Sequence, residues 1–159
     1  MTIRTTHTNS WIHRAALGVL VISSVLAPPT FAGEGHFVRV VSRHPFAGTV
    51  GALKKAVARN HMMVMGQVNQ SKVLAMTGLR LQGEAFLVGN PVMGKNAFRV
   101  DPAAGAVLPA RIYVWTQGAN TYIGYFEPSS LLTQISPRLG MMGGLLNKKF
   151  ARVAREAAR

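Results

Sequence analysis

Glu84-Ala85-Phe86-Leu87-Val88-Gly89-Asn90-Pro91 is a short apolar run stopped by three consecutive turn formers. Apolar and β-branched residues without helical spacing predict a buried strand, and Gly-Asn-Pro predicts a rigid corner at its end. A backbone held in that way can present amides to a ligand.

Working outward toward the N-terminus, residues 62–68 read as an extended partner strand. Asn60 and His61 separate it from a helix in which Thr49 is the N-cap and Val50, Leu53, Ala56 and Val57 recur at helical spacing. A first strand, residues 37–41, precedes that helix and is broken at Arg43-His44-Pro45. Residues 71–76 read as a short helix closed by Gly78. Toward the C-terminus, residues 92–107 are rich in Gly, Ala and Pro and read as a long irregular corner. Leu108-Pro109 opens a strand over 110–116, which pairs with 121–126 across Gln117-Gly118-Ala119-Asn120 as a hairpin. Glu127-Pro128 starts a helix over 129–135. Gly140, Gly143 and Gly144 read as a hinge, followed by a helix with Leu146, Phe150, Val153 and Ala157 on one face and Lys148, Arg152, Arg155 and Arg159 on another. Strands and helices mixed in this order predict one α+β domain over 33–137, with a basic amphipathic helix over 138–159.

Ahead of the domain, Arg4 and Arg14 precede an uncharged apolar run over 15–27, then Pro28-Pro29 and Thr30-Phe31-Ala32. This is the layout of a cleavable signal peptide, residues 1–32, and predicts export to the periplasm or beyond. The run is shorter than the roughly 20 apolar residues that span a bilayer. The mature chain, beginning near Gly33, keeps a net charge of about +11. Such a field attracts any polyanion, but export points away from nucleic acid and toward an anionic membrane, an acidic envelope polymer or an acidic protein. The chain has no cysteine, which excludes a disulfide framework, a thiolate nucleophile and a lipid-anchoring cysteine.

The order Thr49-Val50-x-x-Leu53, Gly89-Asn90-Pro91, Leu108-Pro109, Val114-Trp115 and Tyr125-x-x-Pro128 resembles the DUF302 family, bacterial domains of unknown function. The resemblance runs from about residue 37 to 132, and the terminal helix is similar to that of exported members. It implies a curved antiparallel sheet with helices on one face, related to the TATA-binding-protein-like architecture. Family members commonly carry an acidic residue followed by histidine after the second strand. Here Asn69-Gln70 stands in that place, leaving amide hydrogen bonding rather than metal or acid–base chemistry.

Carboxylates are scarce: Glu34 neighbours the cleavage point, Asp101 and Glu127 sit at corners, Glu156 lies in the basic tail and Glu84 at a strand edge. His36, His44 and His61 lack zinc spacing, and Gly89 belongs to no phosphate loop. No catalytic constellation and no cofactor motif is present, so the expected role is recognition without turnover. The candidate ligand site is a cleft among Asn69, Gly89, Asn90, Pro91, the 92–107 segment, Tyr125 and Glu127, for a small polar or anionic ligand or a protein partner. Tyr113, Trp115 and Tyr122 are candidates for its aromatic wall. The alternative for the corner is that it simply ends a strand.

A second reading takes His61, Met63 and Met65 as soft copper(I) ligands on one strand face, against the alternative that strand methionines fill a core. Met141-Met142 could join them only by folding back. A third takes Lys148, Lys149, Arg152 and Arg155 as the charged face of a helix lying on an anionic membrane or on a partner. Against it, the helix's apolar face docks on the domain's own sheet or on a second copy in a homodimer.

Overall fold

The computed structural model describes residues 35–159. The expected signal peptide, its processing point near Gly33, and Glu34 lie outside the described residues.

Five strands build one antiparallel sheet in the order β1-β5-β4-β3-β2: β1 Phe37–Ser42, β2 Met63–Asn69, β3 Gly83–Gly89, β4 Ala110–Gln117 and β5 Asn120–Phe126. The hairpin turns at Gly118, whose φ of 60° suits glycine, and pairs Gln117 with Asn120. In β1 the side chains alternate, with Val38, Val40 and Ser42 directed to the core and Phe37, Arg39 and Val41 outward. The register places Val38 opposite Tyr125, Ile123 opposite Val114, Phe86 opposite Ile112 and Val88 opposite Ala110. These residues form one continuous apolar face. The quoted stretch is the most buried strand, β3, paired on both sides.

Helix α1, Phe46–Arg59, buries Thr49, Leu53, Ala56 and Val57. Its N-terminus lies three residues ahead of the expected cap. Pro45 precedes the helix, and the Thr49 hydroxyl, inside the first turn, hydrogen-bonds Ser42 Oγ at 2.7 Å and the His44 carbonyl at 3.0 Å. Thr49 therefore fastens the end of β1 to α1 instead of starting α1. The short helix α2, Gln70–Ala75, is capped by Asn69, whose side chain accepts from Lys72 N.

The segment 92–107 is not an irregular corner. Asn90 caps a helix, α3, Pro91–Val100, with Pro91 at its first position, and Asp101 caps a 3-10 turn, Pro102–Ala106. Met93, Ala97 and Val100 recur at i, i+4 and i+7 and pack on the core, but Ala97 alone is fully buried and the Gly, Ala and Pro content of the segment, with Gly94 inside the helix, disguises this short stripe.

Helix α4, Pro128–Ile135, is followed by α5, Gly140–Ala158. The three glycines expected to form a hinge lie inside α5. Gly143 permits a close crossing, because a β-carbon there would sit 2.5 Å from Ser129 Cα. Asn147 completes the contact by accepting from Ser129 N and donating to Ser129 Oγ, at 3.0 and 2.7 Å. Leu146, Phe150, Val153, Ala154 and Ala157 are buried in the same core as Leu53, Phe86, Ile112, Ile123 and Leu132. Burial of each large apolar side chain stabilises the fold by about 1.5–3 kcal/mol, so α5 is part of the domain. The face carrying Leu146, Phe150 and Val153 is consequently occupied by the core.

Candidate functional site

At the end of the sheet where β3 runs into α3, a half-open groove of about 300 Å³ is lined by Met65, Val88, Met93, Phe98, Pro109 and Leu146, among others. Gly89, Asn90, Pro91, Gly94, Lys95 and Leu108 complete it. The volume lies at the lower end of the range for small-molecule sites. Its walls are apolar, and Lys95 is the ionisable side chain among them. Val88 and Gly89 come from the buried strand, the α3 residues from the helix that Asn90 starts, Leu108 and Pro109 from a cis-peptide corner, and Leu146 from α5.

Asn90, the polar side chain of this corner, is tied into the fold. Asn90 uses both ends of its amide: Oδ1 accepts from Met93 N at 3.0 Å, and Nδ2 donates to the His61 carbonyl at 2.8 Å. Gly89 leaves little room beside it, since a β-carbon would lie 3.2 Å from Met65 Sδ and 3.3 Å from Pro109 Cβ. The turn at Asn60-His61 is held a second time, by Lys149 Nζ donating to the Asn60 carbonyl at 3.0 Å. Two consecutive carbonyls are thus gripped from α3 and from α5. His61 tolerates φ of 53° in this turn, which the two grips hold in place.

The residues expected in one cleft are dispersed. Gly89, Asn90 and Pro91 line the groove. Asn69 lies at the opposite end of β2, beside Glu84 in the register, and caps α2. Tyr125 is 3% exposed and faces the helices, with its ring edge-on to Phe150 at 5.5 Å. Burial raises the Tyr125 phenol above its ordinary pKa, reinforced by Glu127 and opposed by Arg155. Glu127 follows β5 and pairs with His36 at 3.4 Å. The alternation of β5 explains the separation: Tyr125 and its neighbours point to opposite faces, and β4 stands between β5 and β3.

Tyr113, Trp115 and Tyr122 are also elsewhere. They stack on one another across the opposite face of the sheet, which no helix among the described residues covers, with centroid spacings of 5.5 and 5.3 Å. Arg39 lies over Tyr122 at 5.2 Å, and Phe37 packs against both Trp115 and Phe126. Self-stacked rings satisfy one another and do not wall the groove beside Asn90.

Met63 and Met65 are exposed on the edge strand, where the register shifts between Val64 and Gly66, and Met65 enters the groove wall. Met62 is buried in the core. Among the described residues, no group of three or more His, Cys, Asp or Glu is placed to hold a metal ion. On α5, Lys148, Arg152 and Arg155 are exposed, whereas Lys149 is partly buried by its bond to Asn60. Met93, Gly94, Lys95 and Phe98 belong to the 92–107 segment expected beside the cleft, although none was singled out, and Leu146 was expected on the apolar face of the terminal helix rather than in a site. The cap-and-proline signature at Asn90-Pro91 is the signal that would have revealed the α3 members.

A family model for a domain of unknown function, DUF302, matches residues 38–156. No curated protein matches the chain. Among solved structures, an uncharacterized conserved DUF302 protein from Bacillus stearothermophilus is similar at 20% identity and a TM-score of 0.73. The match covers 77% of this chain and 98% of that one. At that identity the likeness speaks to the fold alone.

Proposed function

The chain belongs to the DUF302 family, and we propose that this member is an exported binding module that holds a small ligand in the groove beside Gly89-Asn90-Pro91 without turning it over. The observation that carries the reading is the groove itself: about 300 Å³ with apolar walls contributed by β2, β3, α3, α5 and the Leu108–Pro109 corner. Apolar concavity with a few polar points at its rim is the usual form of a small-molecule site. The double grip on Asn60-His61 supports preorganisation, which lowers the ordering cost of binding.

Gly94→Leu tests this reading. A β-carbon at Gly94 meets nothing closer than Phe98, at 3.8 Å, and Gly94 lines the groove, so the substitution is accommodated at the backbone and its side chain takes up groove space. Replacing a helical glycine also favours α3 by up to about 1 kcal/mol. The mature protein is expected to enhance the fluorescence of 1-anilinonaphthalene-8-sulfonate, and the folded variant to bind that probe at least tenfold more weakly. Equal binding by both would remove the groove as the site. Export is supported by the arrangement of residues 1–32. The intact mass of secreted protein is expected to correspond to a chain starting near Gly33, and retention of residues 1–32 would refute cleavage.

A protein partner is the second reading, favoured by the uncovered sheet face, where Phe37, Val41, Val68 and Phe126 are each about half exposed. Exposed apolar side chains gathered on one face, here with Phe37 packed on Phe126, are a common mark of protein contact.

A further inference from the structure

The apolar groove does not end at its own rim. A second groove, about 360 Å³, is lined by Asn60, Met93, Leu145, Lys148, Lys149 and Arg152. Met93 lines both. Helix α5 also spans them, contributing Leu146 to the first and Leu145, Lys148, Lys149 and Arg152 to the second. The Asn60-His61 turn joins their floors, since Asn90 of the first groove grips the His61 carbonyl and Lys149 of the second grips that of Asn60.

The two halves have opposite chemistry. The first is apolar, while the second carries three cations and no carboxylate. The four Asp and Glu side chains among the described residues each have partners of their own, and Glu156 comes nearest the second groove, through Asn60. Glu84 is buried against Gln67, Asp101 caps the 3-10 turn, and Glu127 pairs with His36. Glu156 is held by Arg59 at 3.4 Å and Asn60 at 3.2 Å. Lys148 and Arg152 therefore project into the second groove without an acidic partner among the described residues. Their charge, which no carboxylate among the described residues meets at ion-pair distance, complements an anion.

Resting on the ligand-binding reading above, we infer that the ligand is a single-chain anionic amphiphile, its hydrocarbon chain in the apolar groove and its anionic head beside Lys148, Lys149 and Arg152. A recess accepts a single chain, whereas an interfacial helix needs an apolar face that projects outward. The apolar face of α5, Leu146, Phe150 and Val153, is already buried in the core. The observations thus favour a monomeric amphiphile over a bilayer surface.

The test is calorimetric titration of the mature protein with decanoate and with uncharged 1-decanol, both below aggregation, at low and at moderate salt. Wild type is expected to bind decanoate more tightly than 1-decanol, with a preference that shrinks as salt rises. Lys148→Gln/Arg152→Gln is expected to weaken decanoate roughly five- to tenfold, the range for two exposed charge contacts, and to leave 1-decanol unchanged. Lys55→Gln/Lys72→Gln, which removes the same charge from α1 and α2, is expected to change neither. Gly94→Leu is expected to weaken both.

If wild type binds both ligands equally and Lys148→Gln/Arg152→Gln changes neither, the head-group assignment fails while the groove survives. If wild type binds neither, the groove reading itself fails. Binding to vesicles of anionic phospholipid without binding to monomeric decanoate would overturn the inference in favour of a membrane surface. Unchanged thermal unfolding of each variant confirms that an altered affinity is not a folding defect.

Discussion

Asn90 shows how one residue can be read correctly as a corner and still be misassigned a role. It follows a buried strand and precedes proline, so it stops the sheet; the same two positions also form the N-cap and first residue of α3. Its side chain accepts from Met93 N and donates to the His61 carbonyl, so the fold fixes its orientation and leaves one amide hydrogen and one lone pair unused by these two bonds. Asn90→Ala is expected to destabilise the domain by about 1–2 kcal/mol, combining a lost cap with a lost hydrogen bond. Asn90→Asp keeps the cap acceptor but not the donor and is expected to lose about half as much. Urea unfolding midpoints measure both, and a stability unchanged in Asn90→Ala would refute the structural role. Asn69 has a parallel explanation, as the cap of α2. Asparagine's preference for caps and corners is visible in sequence, but whether its amide has any hydrogen-bonding capacity left depends on which carbonyls fold back to it.

Helix α5 is the element whose place changes most between sequence and structure. Its two faces were legible from the spacing of Leu146, Phe150 and Val153 against Lys148, Arg152 and Arg155, but the spacing is the same for a helix on a membrane and one in a core. Contacts distant in sequence decide between them: Phe150 meets Tyr125, Lys149 reaches Asn60, and Gly143 lies against Ser129. Truncation before Gly140 is expected to abolish cooperative unfolding, because it removes six buried apolar side chains, Leu146, Phe150, Val153, Ala154, Ala157 and Ala158, from the core. Phe150→Ala, a gentler change, is expected to cost about 3–5 kcal/mol. Circular dichroism melts test both, and a truncated chain that still melts cooperatively would show that α5 is an appendage. The glycines looked like a hinge because glycine is a helix breaker in isolation. Here Gly143 is required by the close approach of α4, an intermolecular-like crossing that no local pattern announces.

Across the whole molecule, the sheet divides the chain into a packed side and an uncovered side, and the alternation of strands assigns each residue to one of them. The two sides make different demands on tyrosine. Tyr125 is on the packed side and Tyr113 on the uncovered one, and burial raises both phenols above their ordinary pKa near 10. The unfolded chain then loses these protons first as pH rises, so stability is full below about pH 10 and falls as pH climbs through the folded values. Tyr125→Phe and Tyr113→Phe are each expected to lessen the drop in melting temperature between pH 9 and pH 11 relative to wild type; a wild-type-sized drop in both would contradict the shifts. The α+β class, the hairpin at Gly118, the buried β3 strand and the family likeness were determined by the sequence alone, because alternation, turn chemistry and motif order are local signals. The assembly of the groove was decided only by tertiary structure, because Met65, Val88, Met93, Pro109 and Leu146 come from separate elements and meet through register and helix docking. The same holds for the charge beside it: Lys148 and Arg152 are basic in any fold, but only the folded chain places them in a groove that shares Met93 with the apolar one, without a carboxylate at ion-pair distance among the described residues.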